Sequence, residues 1–322
     1  MKFRFLRFPS VVRIKVFVPL VAMGLVLVPL ALGKEQKVSQ QTFASAEEAV
    51  KALGAAYKRG DPKGVAEILG DKGLQLVSSG DSVIDRYERA WFLSLFKEAH
   101  EVVPESETRA VLQLGRDEYP YPIPIVKERD KWRFDPEEGH EDLLSRRISK
   151  AELSALNLMV ACVDAQREYY RQDHDGDGVF EYARKFRSSP GQHDGLYWER
   201  KPGEAPSPVS GLADAFLKEG YTPAKEGQLA VYRGYFYKML AAQGSRAPGG
   251  ARDYVVNGKM TGGFGILAFP VRYRVSGVLT FLVNQDAVVY QKDLGPKTVA
   301  LGKEMALFDP DKSWSKGDRT DK

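Results

Sequence analysis

The segment Asp173-His174-Asp175-Gly176-Asp177-Gly178-Val179-Phe180-Glu181 sets three aspartates at alternate positions in this chain of 322 residues. Carboxylates at alternate positions followed by a glycine suit a hard divalent cation. Calcium takes about six to eight oxygens, and the glycine supplies the sharp turn that wraps a short loop round the ion. Asp173, Asp175, Asp177 and Gly178 match the first, third, fifth and sixth positions of a twelve-residue calcium loop. Val179 would add a backbone carbonyl and Glu181 a side chain. Arg184 stands where the closing bidentate Glu is required, so a complete loop of that type is excluded. What remains is a shorter calcium site built from Asp173, Asp175, Asp177, Val179 and Glu181. The competing reading is an acidic turn whose Asp177 caps a following helix.

Other chemistry is thinner. Gly80-Asp81-Ser82-Val83 matches the nucleophile motif of one lipase and esterase class, but that chemistry needs a downstream His as base. No His follows His193, so a loop leading into a helix is the favoured reading. His100, His140, His174 and His193 have no metal spacing, and Leu144 occupies the last place of a His-Glu-x-x-His pattern begun at His140. The glycines between Gly250 and Gly265 fit neither a phosphate loop nor a dinucleotide fingerprint. Cys162, the single cysteine, sits in an apolar helical run and reads as a buried, inert thiol. Tyr197, Trp198, Tyr232, Tyr235 and Tyr237 could line a sugar- or peptide-binding surface, although β-propensity alone also accounts for them.

The elements that must position these residues follow from periodicity and capping. Ser45 and Glu48 form a capping box before Ala49, Val50, Leu53, Ala56 and Tyr57, and Gly60 ends that helix. Asp61-Pro62 starts a second helix, closed by Gly70. A third runs from about Asp85 to His100 with Tyr87, Trp91, Phe92, Leu95, Phe96 and Ala99 on one face. Period-two runs then predict strands over Thr108–Leu114, Ile123–Lys127 and Lys131–Phe134, with a tight turn at Arg129-Asp130. Pro120, Pro122 and Pro124 remove ladder donors and predict an edge strand. A long helix over Lys150–Arg171 should face a sheet through Leu153, Leu156, Val160, Val163 and Tyr170. After the acidic loop come a short helix from Phe180 and an irregular stretch from Pro190 to Ser210. Strands then span Ala230–Leu240, Gly263–Pro270, Gly277–Asn284 and Val288–Lys292, with a polar, frayed tail from Phe308.

Charge points to location. Lys and Arg total 47 against 43 Asp and Glu, but Lys2, Arg4, Arg7, Arg13 and Lys15 precede any acid. The remainder is near neutral, which removes the electrostatic case for nucleic acid. The five charges lead into an apolar run, Val16–Leu32, broken by Pro19, Gly24 and Pro29. That order is a secretory signal with cleavage after Gly33. An uncleaved anchor is the alternative, although the run is short for a span of ~20 residues. No Cys adjoins the cleavage point to carry a lipid.

The helices, Gly-Asp-Pro turn and Lys-Trp-Arg-Phe strand of Thr42–Leu144 resemble the nuclear-transport-factor-two-like cone. Ala165-Gln166-Arg167-Glu168-Tyr169 and the Ser276–Tyr290 hairpin resemble a type IV pilin-like headgroup, without the apolar stalk that pilus assembly uses. Val163–Tyr169, Asp194–Trp198, Ala251–Phe264 and Tyr290–Gly295 resemble, nearly full-length, a bacterial family of exported proteins defined by a domain of unknown function. These resemblances imply a shared fold and export, and they carry no activity.

The expectation is an α+β protein: N-terminal helices plus a curved antiparallel sheet, then a long helix packed on an antiparallel meander. The expected division is a signal over 1–33, a linker over 34–41, a cone-like domain over 42–148, a headgroup-like domain over 149–309 and a flexible tail over 310–322. Function is expected to be non-catalytic binding or assembly in the periplasm or outside the cell. The partner would be an envelope protein or polymer, with calcium as the one candidate cofactor, no nucleic acid and no membrane span after cleavage. A hydrolase using a pocket in the N-terminal cone is the alternative.

Overall fold

Short polar side chains set the first helices. The Ser45 hydroxyl accepts the Glu48 N–H at 3.2 Å, and the Glu48 carboxylate reaches back to the Ala44 N–H at 3.1 Å. This starts α1 (Ala46–Arg59), which stops at left-handed Gly60. Asp61 caps α2 (Pro62–Leu69), and the short α3 (Gly73–Val77) follows. The computed structural model describes residues 39–317 except 71, 225 and 226. The expected export signal, most of the linker and the last five residues of the tail lie outside the described residues.

Asp81 caps α4 (Ser82–Glu98), which therefore begins before the expected Asp85. Its apolar face is also narrower than the periodicity implies. Only Phe92 is buried, while Tyr87 and Trp91 face solvent. Trp91 instead meets Tyr119 edge-on, and the Lys150 ammonium lies over Tyr87.

Five strands follow: β1 (His100–Ser106), β2 (Arg109–Leu114), β3 (Tyr119–Pro120), β4 (Ile125–Glu128) and β5 (Lys131–Phe134). Their order is β1-β2-β4-β5, with β3 also on β2. The proline-rich segment starts as an edge, as expected: β3, which carries Pro120, pairs only with β2. β4 lies between β2 and β5, and Pro122 and Pro124 fall in the break between β3 and β4, where no ladder donor is needed. Arg129 and Asp130 both take positive φ, 47° and 63°, making the tight β4–β5 turn without glycine. Leu53, Leu69, Phe92, Leu112, Ile123 and Phe134 fill the interior between these helices and the sheet.

α5 (His140–Tyr169) begins ten residues before the expected Lys150 and runs unbroken past 148/149. Its buried stripe contains Ala151, Ala155, Met159, Cys162, Val163, Gln166 and Tyr169. The expected stripe has the right period but the wrong rotation, since Leu153 and Tyr170 are exposed. Small residues at 151 and 155 let the helix sit close to its neighbours, while Leu153 turns outward.

Next come the parallel pair β6 (Lys185–Arg187) and β7 (Gly195–Tyr197), then α6 (Ser210–Glu219). No helix starts at Phe180. The remaining elements are β8 (Ala230–Tyr232), β9 (Tyr235–Leu240), β10 (Ala242–Gln243), β11 (Arg252–Asp253), β12 (Gly265–Pro270), β13 (Leu279–Asn284), β14 (Tyr290–Asp293), α7 (Thr298–Glu304), β15 (Leu307–Phe308) and β16 (Ser315–Lys316). The expected single strand Ala230–Leu240 is a hairpin, broken where Arg233 and Gly234 take φ of 45° and 82°. The six-stranded sheet has the order β16-β14-β13-β12-β9-β8, antiparallel throughout, and shares a core with α5. The tail is not frayed from its start, because Phe308 is buried and β16 pairs with β14.

The fold is α+β. Polar side chains link its two halves. The Asp81 carboxylate accepts the Tyr221 hydroxyl and the Gly234 N–H, both at 2.9 Å. The Arg272 guanidinium donates to the Ser78 carbonyl, and within the N-terminal half Arg147 pairs with Glu88 at 2.6 Å. Among the described residues no helix is long and apolar enough to cross a membrane.

Candidate functional site

The acidic loop is organised around its own backbone and around one lysine. The Asp173 carboxylate accepts the N–H groups of Gly176 and Gly178 at 2.8 Å and of Asp175 at 3.3 Å. Those bonds, the one from Gly178 foremost, hold it below the usual carboxylate range. Asp177 accepts the Val179 N–H at 2.9 Å and caps no helix. Ligand oxygens of Asp173, Asp175 and Asp177 lie within 4.8 Å of one another. The Lys259 ammonium bonds Asp175, and lies 2.8 Å from Asp177 and 3.2 Å from Glu181. Its partners push its proton affinity up, Asp175 first and Asp177 next, and it in turn holds Asp177 low. The other Glu181 oxygen accepts the Met260 N–H at 3.0 Å.

The structure thus gathers three of the five expected calcium ligands, Asp173, Asp175 and Asp177, while Glu181 meets them only through Lys259 and Val179 contributes its N–H to Asp177. The expected alternative, a helix cap, does not form. The cation among these carboxylates comes from 84 residues further along the chain. Calcium at this loop would compete with Lys259 for Asp175 and Asp177.

A second place was not legible as a motif. A cavity of about 900 Å³ opens between α5, the β6–β7 pair, α6 and the β8–β9 hairpin. Leu158 and Cys162 come from α5, and Phe186 and Leu196 from the β6–β7 pair. Val209, Leu212 and Phe216 come from α6 and its start, and Tyr232, Tyr237 and Met239 from the hairpin. The Phe216 ring stacks on Tyr232 at 3.8 Å, and Trp198 on His193 at 4.5 Å. No residue of α6 is fully buried, although its apolar side packs towards the core. Cavities of roughly 300–1,000 Å³ with apolar, aromatic walls are the usual setting of small-molecule sites.

Two wall residues carry unsatisfied polar atoms. Tyr237 is 3% exposed and Trp198 8%, and neither the Tyr237 hydroxyl nor the Trp198 indole N–H has a hydrogen-bond partner. Leaving such a group unpaired costs about 1–3 kcal/mol. Of the aromatic set singled out in the sequence, Tyr197, Trp198, Tyr232 and Tyr237 line this cavity. Tyr235 does not. It is core, its hydroxyl bonded to the Leu279 carbonyl at 2.9 Å.

Reactive groups in the wall are quenched. Burial pushes the Cys162 thiol up to about 12, so it is neutral, as its apolar setting implies. The Lys185 ammonium lies 2.6 Å from the Ser189 hydroxyl, but it is paired with Asp194 at 2.7 Å. Ser82, of the esterase-like motif, is an exposed first-turn residue of α4 beside the buried cap Asp81. His174 stacks on Tyr169 at 3.9 Å, and burial lowers its proton affinity. Gln166, from the stretch that resembles a pilin helix, grips Ala183 through both backbone groups at 2.8 Å.

No curated protein and no solved structure matches the chain, so the likenesses to the nuclear-transport-factor-two-like cone and to the pilin-like headgroup are not supported. A family model does match, over residues 40–316, which include both the acidic loop and the cavity. Its description reads "Protein of unknown function (DUF2950)", and the chain belongs to that family.

Proposed function

We propose that this protein is an exported, non-catalytic binding module of the cell envelope that holds a small organic ligand in the cavity beside α6. The observation that carries the reading is the cavity itself, about 900 Å³ in volume and walled by apolar and aromatic side chains from four segments. The hydrophobic packing of the N-terminal interior supports placing the site here rather than in the N-terminal half. Export rests on the charged segment from Lys2 to Lys15 and the apolar run that follows it.

Ligand binding is tested with the neutral, polarity-sensitive dye Nile red. One dye per chain should bind, and Ala213→Trp, which fills the cavity from α6, should weaken binding by about tenfold or more. Binding unaltered by the tryptophan would refute the site. Mass spectrometry of the protein recovered from cells tests export, with a chain beginning at Lys34 as the expected result. An intact N-terminus in the membrane fraction would show an anchor instead.

A further inference from the structure

The mouth of the cavity has a charge that its apolar interior does not explain. Arg184, Lys185, Arg187, Arg200 and Lys201 line it and are exposed, against the two carboxylates Glu199 and Glu204. Arg187 is neutralised by Glu199 at 3.0 Å and Lys185 by Asp194. Arg200 donates only to the Glu204 backbone carbonyl, at 2.8 Å. Among the described residues neither Arg200 nor Lys201 forms a side-chain ion pair. A rim with an excess of positive charge over low-dielectric walls attracts counter-charge, and an anion would supply what these two cations lack.

We propose that the ligand is an acyl amphiphile of negative charge, its hydrocarbon chain lying against Leu158, Phe216 and Met239 and its acid group at Arg200 and Lys201. This deepens the binding reading above and rests on it. Burial of a chain in the apolar wall supplies affinity at about 25 cal/mol per Å², and the rim selects the head. A free fatty acid and a monoacyl anionic phospholipid share this chemistry.

The test is displacement of a fluorescent polyene fatty acid from the mature chain, with competitors kept below their micelle concentrations. The competitors are oleate, oleoyl lysophosphatidylglycerol and the uncharged methyl oleate. At least one anion should compete about five- to tenfold better than methyl oleate, the range expected of two exposed ion pairs. The preference should vanish in Arg200→Gln/Lys201→Gln with methyl oleate unaffected, which also shows that the variant is folded. Which anion wins identifies the source of the ligand. Equal competition by methyl oleate, or an anion preference that survives the double substitution, would overturn the charge assignment while leaving the cavity as a binding site. Failure of the polyene and of Nile red to bind at all would instead remove the binding reading itself.

Discussion

The acidic loop and the cavity are opposite solutions to the placement of polar groups. In the loop, Asp173, Asp175, Asp177 and Glu181 stand at the spacing of a cation loop, and each is answered from within the chain by backbone N–H groups or by Lys259. In the cavity no motif marks the wall, yet Tyr237 and Trp198 are left unanswered. Residue types that suit a ligand therefore say less than the balance of donors and acceptors around them. That balance is visible only once distant segments are brought together.

If this contrast is right, removing an answered polar group should cost stability and removing an unanswered one should add to it. The largest effect is expected at Asp81, which is 3% exposed, caps α4 and receives both Tyr221 and Gly234. Asp81→Ala should lose about 3–5 kcal/mol in urea unfolding, as the cap is lost and two donors are orphaned. A loss under about 1 kcal/mol would break the argument.

The loop offers a sharper test of which cation it prefers. In Lys259→Met, calcium at about tenfold over Kd should raise Tm by ~3–6 °C, whereas the wild-type protein should not respond. A wild-type shift of the same size would show that Lys259 is no competitor and would restore the calcium site expected from the sequence. Acid probes the same bonds. Asp173 and Asp177 are held low in the folded state, so what they add to loop order is complete above the ordinary carboxylate value near pH 4. It should be lost as pH falls through their depressed values. Amide exchange at Gly176 and Gly178 reads this directly.

Tyr237→Phe keeps the ring and deletes the unanswered hydroxyl. It should stabilise the ligand-free protein by about 1 kcal/mol, and destabilisation would mean that the hydroxyl has a partner after all. The smallest effect is a backbone counterpart of the same logic. Ala287 sits at φ 60° in the turn closed by its N–H to the Asn284 carbonyl, a conformation that Cβ penalises. Ala287→Gly should gain about 0.5–1 kcal/mol in thermal unfolding, net of the greater freedom of glycine in the unfolded chain.

Local chemistry made much of the fold readable. Ser45, Asp61 and Gly60 bound their helices as expected, β5 spans the predicted residues, and the strain at Ala287 follows from a turn that prefers glycine. Where tertiary packing decided, the sequence misled. α5 begins at His140 because Gly139 at φ 83° provides a start that no apolar period announces. β1 was missed because its seven residues are exposed or half-exposed and have no alternation. At the acidic loop the residue types were legible but the counter-ion was not, since nothing near residue 175 points to Lys259. The cavity draws on segments from Leu158 to Met239, and only its aromatic residues left a trace in composition.

Asp81 has one more consequence. Its bond partner Tyr221 stands just after α6 and lines the cavity, while the same carboxylate holds the Val83 and Ile84 amides that begin α4. No residue of α4 lines the cavity. If the cavity takes a ligand that stills Tyr221, deuterium uptake at Val83 and Ile84 should slow, a remote report from residues that the ligand would not touch.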